Sequence, residues 1–226
     1  MRVLLLGHGR MGRLIESLAP EYGATIAGVI DAHSDPRAIA DANYGAVDVA
    51  IDFTLADAVV KNLPQLAERK INVVIGTTGW QAQEMSMRDV AAAAGIGVLA
   101  ASNFSLGMNV FQLAVEEASR HFAKHPEFGA WIHESHHVMK KDAPSGTAIT
   151  IKNGMTQAGY ERPIDVASTR AGSVPGTHTV GFDGPSETIE LTHTVRDRAV
   201  FARGALTAAK WLVGKHGWYS IRDMLA

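Results

Sequence analysis

Between residues 3 and 101, five short apolar runs alternate with stretches of helical periodicity, a rhythm that leaves few folds open. Val3–Leu6, Thr25–Ile30, Val47–Phe53, Asn72–Ile75 and Gly97–Ala101 have the length and composition of strands. Met11, Leu14, Ile15 and Leu18 recur at helical spacing, with Pro20 just beyond. A second helix is expected through Leu55, Val59, Leu63 and Leu66, with Thr54 as its N-cap, and a third over about Gln81–Ala94. Strands buried on both faces and joined by amphipathic helices form a parallel sheet with right-handed crossovers. Ligands meet such sheets at the carboxyl ends of the strands. The residues to weigh are therefore Gly7–Gly12, Asp31, Phe53 with Thr54, Gly76–Thr78 and Ala101–Phe104.

The first of these segments, Gly7-His8-Gly9-Arg10-Met11-Gly12, is a G-x-G-x-x-G between a strand and a helix, with an acid 19 residues after Gly12 at the next strand end. In that setting Gly7 makes the turn, Gly9 admits a pyrophosphate to the helix start, and Gly12 allows close packing. Asp31 would accept hydrogen bonds from a ribose diol. An unliganded turn of the same shape is the plainer alternative. A carboxylate at 31 repels a 2′-phosphate, and Ala32 and His33 supply no immediate arginine, although Arg10 and Arg37 are near in sequence. The expected cofactor is NADH or NADPH, with a lean to NADH.

After a long helix at about Leu106–Ala123, with Val110, Phe111, Ala114, Val115, Ala118 and Phe122 on one face, the parallel rhythm stops. Ala130–Ser135, Asp165–Arg170, Thr177–Phe182 and Thr188–Val195 read as strands, and the last alternates apolar with polar residues. Helical spacing returns over Ala199–Leu212. The expected fold is α/β: a Rossmann-type parallel-sheet dinucleotide-binding domain with an inserted α+β substrate domain built on an open mixed sheet. The expected boundaries are 1–105 and 198–226 for the first domain and 106–197 for the second. Open sheet edges need cover, and self-association supplies it.

Residues 134–148, ESHHVMKKDAPSGTA, gather histidines, lysines and a turn in one segment. His136 and His137 follow a strand and point to opposite sides, so they act separately. A metal site drawn from His133, His136, His137 and His193 is an alternative, but neighbouring lysines oppose a cation, and the reading assigns no metal. A solvated His-Lys surface is another. Against it, Ser145-Gly146-Thr147 open a helix at about Ala148–Gln157, placing free N–H groups and a helix dipole near Lys140. That is an anion site suited to a carboxylate. With a hydride-carrying cofactor it describes a reductase of a small anionic acceptor.

The remaining composition narrows the setting. With 226 residues and a net charge of −2, the chain lacks the basic stripe of a nucleic-acid or membrane-surface protein. It has no cysteine, which excludes disulfides and thiolate chemistry and fits a cytoplasmic protein. No apolar stretch approaches the ~20 residues of a membrane span.

The same fifteen-residue segment resembles the signature of the 4-hydroxy-tetrahydrodipicolinate (dihydrodipicolinate) reductase family, E-x-H-H-x-x-K-x-D-A-P-S-G-T-A, at every fixed position. The likeness extends to GHGRMG, Asp52-Phe53-Thr54, GTTGW, ASNFSLGMN and THTVRDRAVFARGAL. The resemblance implies an oxidoreductase of lysine and diaminopimelate biosynthesis, with His136 as acid/base residue and Lys140 as proton donor. It implies that His137, Ser145, Gly146, Thr147 and Arg198 bind a small dicarboxylate. Gly7, His8, Gly9, Arg10, Met11, Gly12, Asp31, Phe53, Gly76, Thr77, Thr78, Ala101, Ser102, Asn103 and Phe104 would hold the nicotinamide cofactor. It further implies a homotetramer joined through the substrate-domain sheets. The segment between Asp31 and Tyr44 is trimmed relative to the family, where an arginine often follows the acid. Two other readings stay open: a two-domain amino-acid dehydrogenase, which would not need the lysine-serine-glycine-threonine cradle, and a non-catalytic NAD(H) sensor, which would not need His136 and Lys140.

Overall fold

In this computed structural model, residues 1–34, 38–40 and 44–226 are described. Arg37 lies outside them. The chain divides into two compact units, Met1–Leu106 with Ala199–Ala226, and Gly107–Arg198.

The first unit is built on six strands: β1 (Arg2–Leu6), β2 (Thr25–Ile30), β3 (Val49–Asp52), β4 (Asn72–Ile75), β5 (Gly97–Ala100) and β10 (Gly217–Tyr219). Their order is β10-β5-β4-β3-β1-β2, parallel throughout. Successive residues of a strand face opposite sides, so each short run feeds two cores. Leu4, Leu6, Ala50, Val73 and Ile75 pack with Val59, Leu63 and Leu66 of α2 (Ala56–Glu68) and with Met87 and Ala91 of α3 (Glu84–Ala94). Val3, Leu5, Val49, Ile51, Val74 and Leu99 pack with Ile15 of α1 (Arg10–Leu18) and the inward face of α6 (Ala199–Leu212). That face is alanine-rich and closely seated: a Cβ on Gly204 would fall 1.7 Å from the Phe104 carbonyl oxygen. Buried Asn72 ties the far end together, its amide donating to Leu212 O at 2.9 Å and its carbonyl accepting from Gly97 N at 2.8 Å.

Three expectations change here. Thr54 does not cap α2; the N-cap is Leu55, with no side-chain cap bond. The Thr54 hydroxyl instead donates to Oδ1 of the buried Asp52 at 2.6 Å, one residue before the helix cap. The third helix opens as a 3₁₀ turn, Gln81–Gln83, before α3 begins. Beyond α6 the chain forms β10 and then α7 (Ile221–Leu225), capped by a Ser220–Asp223 capping box.

The second unit carries α4 (Leu106–Phe122), β6 (Gly129–His136), α5 (Gly146–Gln157), β7 (Ile164–Arg170), β8 (Thr177–Asp183) and β9 (Thr188–Thr194). The sheet order is β7-β6-β8-β9, with β6 and β7 parallel and the other pairs antiparallel. One face of the sheet, through Ala130, Ile132, Val180 and Phe182, buries Met108, Phe111 and Val115 of α4 and Ala148, Ile151 and Met155 of α5. Val110 and Ala114, expected on the inward stripe of α4, are exposed, and Met108 is buried instead. Among the described residues no helix is long and apolar enough to cross a membrane.

Candidate active site

At the carboxyl ends of the parallel strands the glycine-rich turn has the geometry its spacing requires. Gly7 adopts φ +91°, and a Cβ there would meet Phe53 O at 2.5 Å. A Cβ on Gly12 would meet Gly7 O at 2.1 Å, so helix and turn touch backbone to backbone. At Gly9 a Cβ would meet nothing within 4 Å, and Gly9 caps α1 without a side-chain bond. The start of a nine-residue helix is therefore uncapped by any side chain and open at Gly9, as a pyrophosphate needs.

Beside this turn lies a hollow of about 500 Å³ lined by residues that include His8, Arg13, Asp31, His33, Phe53 and Asn62. Asp31 Oδ1 accepts from His33 N at 2.9 Å and Ser34 Oγ at 3.3 Å, leaving Oδ2 open among the described residues. The His33 N–H, first, holds the Asp31 carboxyl below its ordinary range against the opposing effect of burial, with help from the Ser34 hydroxyl. His8 pairs with Glu16 at 2.7 Å. Arg10 is exposed at the start of α1, while Met11 packs against the core. These residues suit the adenosine and pyrophosphate end of a dinucleotide.

A second hollow, of about 460 Å³, lies further along the same edge and includes Thr77, Trp80, Arg88, Ala101, Ser102 and Trp218. Here the strand ends are braced by Asp52, whose Oδ1 accepts from Thr77 Oγ1 at 2.9 Å and Thr54 N at 2.9 Å, with Asn62 on Oδ2 at 3.1 Å. Gly76 leaves room for the Phe53 ring, which a Cβ would meet at 2.2 Å. Thr78 and Ser102 are exposed; Asn103 turns its side chain onto Ser105 N at 2.9 Å. Phe104 is buried and packs on Phe53 with centroids 5.8 Å apart. Its side chain therefore holds the loop and does not line the hollow.

In the second unit β6 brings Glu134 and His136 to one inward face, since residues two apart on a strand share a side. His136 is 8% exposed, and its Nδ1 makes a short hydrogen bond with Glu134 Oε2. Burial lowers the His136 pKa; Glu134 opposes this, and Lys140 and Arg170 add to it. Arg170, at the end of β7, sets Nη2 2.7 Å from Glu134 Oε1 and Nη1 3.0 Å from Oε2. Burial alone would raise the Glu134 pKa, but hydrogen bonds from Arg170, Ser168, His136 and the Ser145 N–H outweigh it and bring it to about 2. His178 of β8 stands edge-on to His136, centroids 5.1 Å apart, and burial, then the neighbouring His136, takes its pKa down to about 4.

His137 follows β6, half-buried, and the next residues turn back so that Lys140 N donates to His137 O at 3.1 Å. Lys140 Nζ pairs with the Asp142 carboxylate at 2.9 Å. After a cis Ala143–Pro144 bond, Ser145 is the N-cap of α5. Its buried hydroxyl accepts from Ala148 N at 3.1 Å and lies 3.2 Å from His178 Nε2, so it is engaged within the protein. The outward groups of the helix start are at Gly146, exposed, and Thr147, half-buried. Arg198 lies exposed in the turn before α6, with no ion pair among the described residues.

Glu134, His136 and His178 bring their ligand-type atoms within 4.8 Å of one another. Both Glu134 oxygens are already taken by Arg170, whose charge repels a cation, so the set does not suit a metal ion. Of the other histidines first weighed as ligands, His133 bonds Thr169 Oγ1 at 2.9 Å on the opposite face of β6. Glu134, Arg170 and His178 were not among the expected site residues. The two-residue period of β6 pointed to Glu134, whereas Arg170 and His178 arrive by pairing of distant strands.

A Rossmann-type unit joined to a mixed-sheet unit that carries an acid–imidazole pair beside an anion-ready helix start belongs to the class of NAD(P)H-dependent reductases of small acids. Comparison with known proteins narrows the class. Residues 1–104 match the family described as dihydrodipicolinate reductase, N-terminus, and residues 107–225 match dihydrodipicolinate reductase, C-terminus. A 4-hydroxy-tetrahydrodipicolinate reductase of Christiangramia forsetii is 35% identical over 237 residues, covering 100% of this chain and 98% of the relative. One from Xanthomonas axonopodis pv. citri is 40% identical over 239 residues, with the same coverage. Among solved structures, the dipicolinate-bound dihydrodipicolinate reductase of Paenisporosarcina sp. TG-14 has the same fold, with a TM-score of 0.81 at 19% identity over 97% of each chain. The chain belongs to the dihydrodipicolinate reductase family and is an oxidoreductase.

Proposed function

We propose that this protein reduces 4-hydroxy-tetrahydrodipicolinate to tetrahydrodipicolinate with NAD(P)H, in lysine and diaminopimelate biosynthesis. Loss of the 4-hydroxyl as water leaves a cyclic conjugated imine, and a reduced nicotinamide, when bound, would supply hydride to its C4. Negative charge then gathers towards the ring nitrogen and is removed by one proton. The observation that carries the reading is the arrangement in 134–148: an imidazole backed by an ionised carboxylate, and an ammonium beside a helix start, both engaged by the Asp142 carboxylate.

His136 acts as the acid/base group, with Lys140 as the adjacent donor and cation. Gly146 and Thr147 present backbone N–H groups to one substrate carboxylate, and His137 and Arg198 serve the diacid further. Ser145 contributes by fixing the helix start. Asp142 holds Lys140 in the free protein and gives way to the incoming carboxylate. A bound dianion favours the charged imidazolium, offsetting the burial that lowers the His136 pKa in the free protein.

The cofactor preference leans to NADH, supported by the anionic, half-open Asp31 carboxylate. A homotetramer joined through the open face of the β7-β6-β8-β9 sheet is supported by its paired threonines, Thr179 with Thr192 at 3.0 Å, and by partly exposed Ile189 on the edge strand. The assigned compartment is the cytoplasm, where this biosynthesis would run.

The test couples purified protein to 4-hydroxy-tetrahydrodipicolinate synthase and follows loss of reduced-nicotinamide absorbance. Oxidation that requires the synthase product is expected. Oxidation no faster than background would overturn the assignment. A dehydrogenase of another amino acid or a silent sensor would behave in that second way.

A further inference from the structure

Glu134 is fully buried, yet no step above uses it directly. Burying a lone carboxylate is costly, so its surroundings must compensate. They do so from several elements. Parallel pairing of β6 with β7 sets Arg170 beside His136 in register, and the guanidinium forks onto both Glu134 oxygens at 2.7 and 3.0 Å. The Ser145 N–H adds a third bond at 3.2 Å from the cap of α5. Oε2 also meets Nδ1 of His136, and the Ser168 hydroxyl adds a further bond to the carboxylate. His136 Nε2 has no hydrogen-bond partner among the described residues and lies against Gly176, where an added Cβ would stand 3.0 Å away.

We propose that Glu134, clamped by Arg170, is the positioning residue for His136: it takes the Nδ1–H and thereby fixes Nε2 as the nitrogen that exchanges a proton with substrate. This rests on His136 being the acid/base group of the proposed reaction. The groups facing His136 are Glu134 on its own strand, Arg170 on β7, His178 on β8 and Lys140 in the following turn. Two of these are cations and His178 is neutral at pH 7, so Glu134 alone favours the imidazolium. Arg170 keeps that carboxylate ionised, with a pKa of about 2, so its influence is constant over any working pH. The arrangement also bars the other tautomer, because a carboxylate cannot donate to a bare Nδ1.

The experiment is an NMR titration of the His136 imidazole in the full-length protein and in Glu134→Gln. The substitution keeps shape and removes charge, so the His136 pKa should fall by about 1–2 units. The pH at which kcat declines should fall with it, while the KM for the dinucleotide stays unchanged. An unshifted His136 pKa in folded Glu134→Gln would overturn the proposal, since a merely structural glutamate predicts that result. Should the variant not fold, ¹⁵N shifts of the unsubstituted protein above the His136 pKa decide alone. A proton on Nδ1 supports the proposal, and a proton on Nε2 overturns it. These spectra need no substrate, so their outcome is separate from that of the coupled assay.

Discussion

Gly176 stands against His136, with φ +152° and the site of its missing Cβ 3.0 Å from Nε2. The imidazole is thus bounded on one side by a backbone that only glycine makes thin enough. Gly176→Ala should push the ring from its place and strain the turn before β8. Because small misplacements of a reacting group are expensive, kcat should fall roughly 10–100-fold. Dinucleotide affinity, measured by fluorescence titration, should not change. Unaltered kcat would mean that Nε2 does not work at this face.

Asp31 Oδ2 accepts no hydrogen bond among the described residues, at the edge of the hollow beside the glycine-rich turn. Asp31→Asn removes the charge that repels a 2′-phosphate and weakens the acceptor for a ribose diol. The ratio of kcat/KM for NADH to that for NADPH should drop by roughly tenfold, the usual size of one charged hydrogen bond. A wild-type preference for NADPH would show that Arg13, His33 or another cation outweighs Asp31.

Lys140 is held by Asp142 at 2.9 Å. Lys140→Ala should depress kcat if the ammonium donates or stabilises charge as hydride arrives, by roughly 10²-fold or more. A rise confined to the substrate KM would make it a binding group only.

His178 gives the account a consequence for stability. Burial holds its folded pKa at about 4 against an ordinary 6.5. Between those values the unfolded chain binds the proton more readily, so stability is complete above pH 6.5 and is lost as pH falls towards 4. The span corresponds to about 3 kcal/mol, at about 1.4 kcal/mol per unit. Urea unfolding of His178→Gln should show a shallower decline over this range than the unsubstituted protein. Parallel declines would remove His178 as the sensitive group. Glu134 acts at lower pH, its contribution present above its ordinary 4.5 and lost towards 2.

Much of the fold was legible because its signals are local. Apolar runs such as Val3–Leu6 and Asn72–Ile75 fill a strand and stop at glycine or a polar residue, and the parallel sheet follows from the helices between them. β10 escaped notice because three residues, Gly217–Tyr219, carry no period; β5 beside them supplies the reason to extend. The misplacement of Val110 shows the same limit, since which face of α4 turns inward is decided by the sheet it meets. At the site, the Ser145 hydroxyl read as a ligand group, yet the cap of α5 and His178 absorb it. Arg170 could not be read at all, because its place beside His136 depends on parallel pairing across 34 residues.

In the proposed reaction His136 moves the proton that accompanies hydride transfer, and the deciding measurement is the turnover of His136→Ala in the synthase-coupled assay. The expected kcat is reduced by roughly 10²–10⁴-fold, with dinucleotide binding intact. Near-normal turnover by that variant would contradict it.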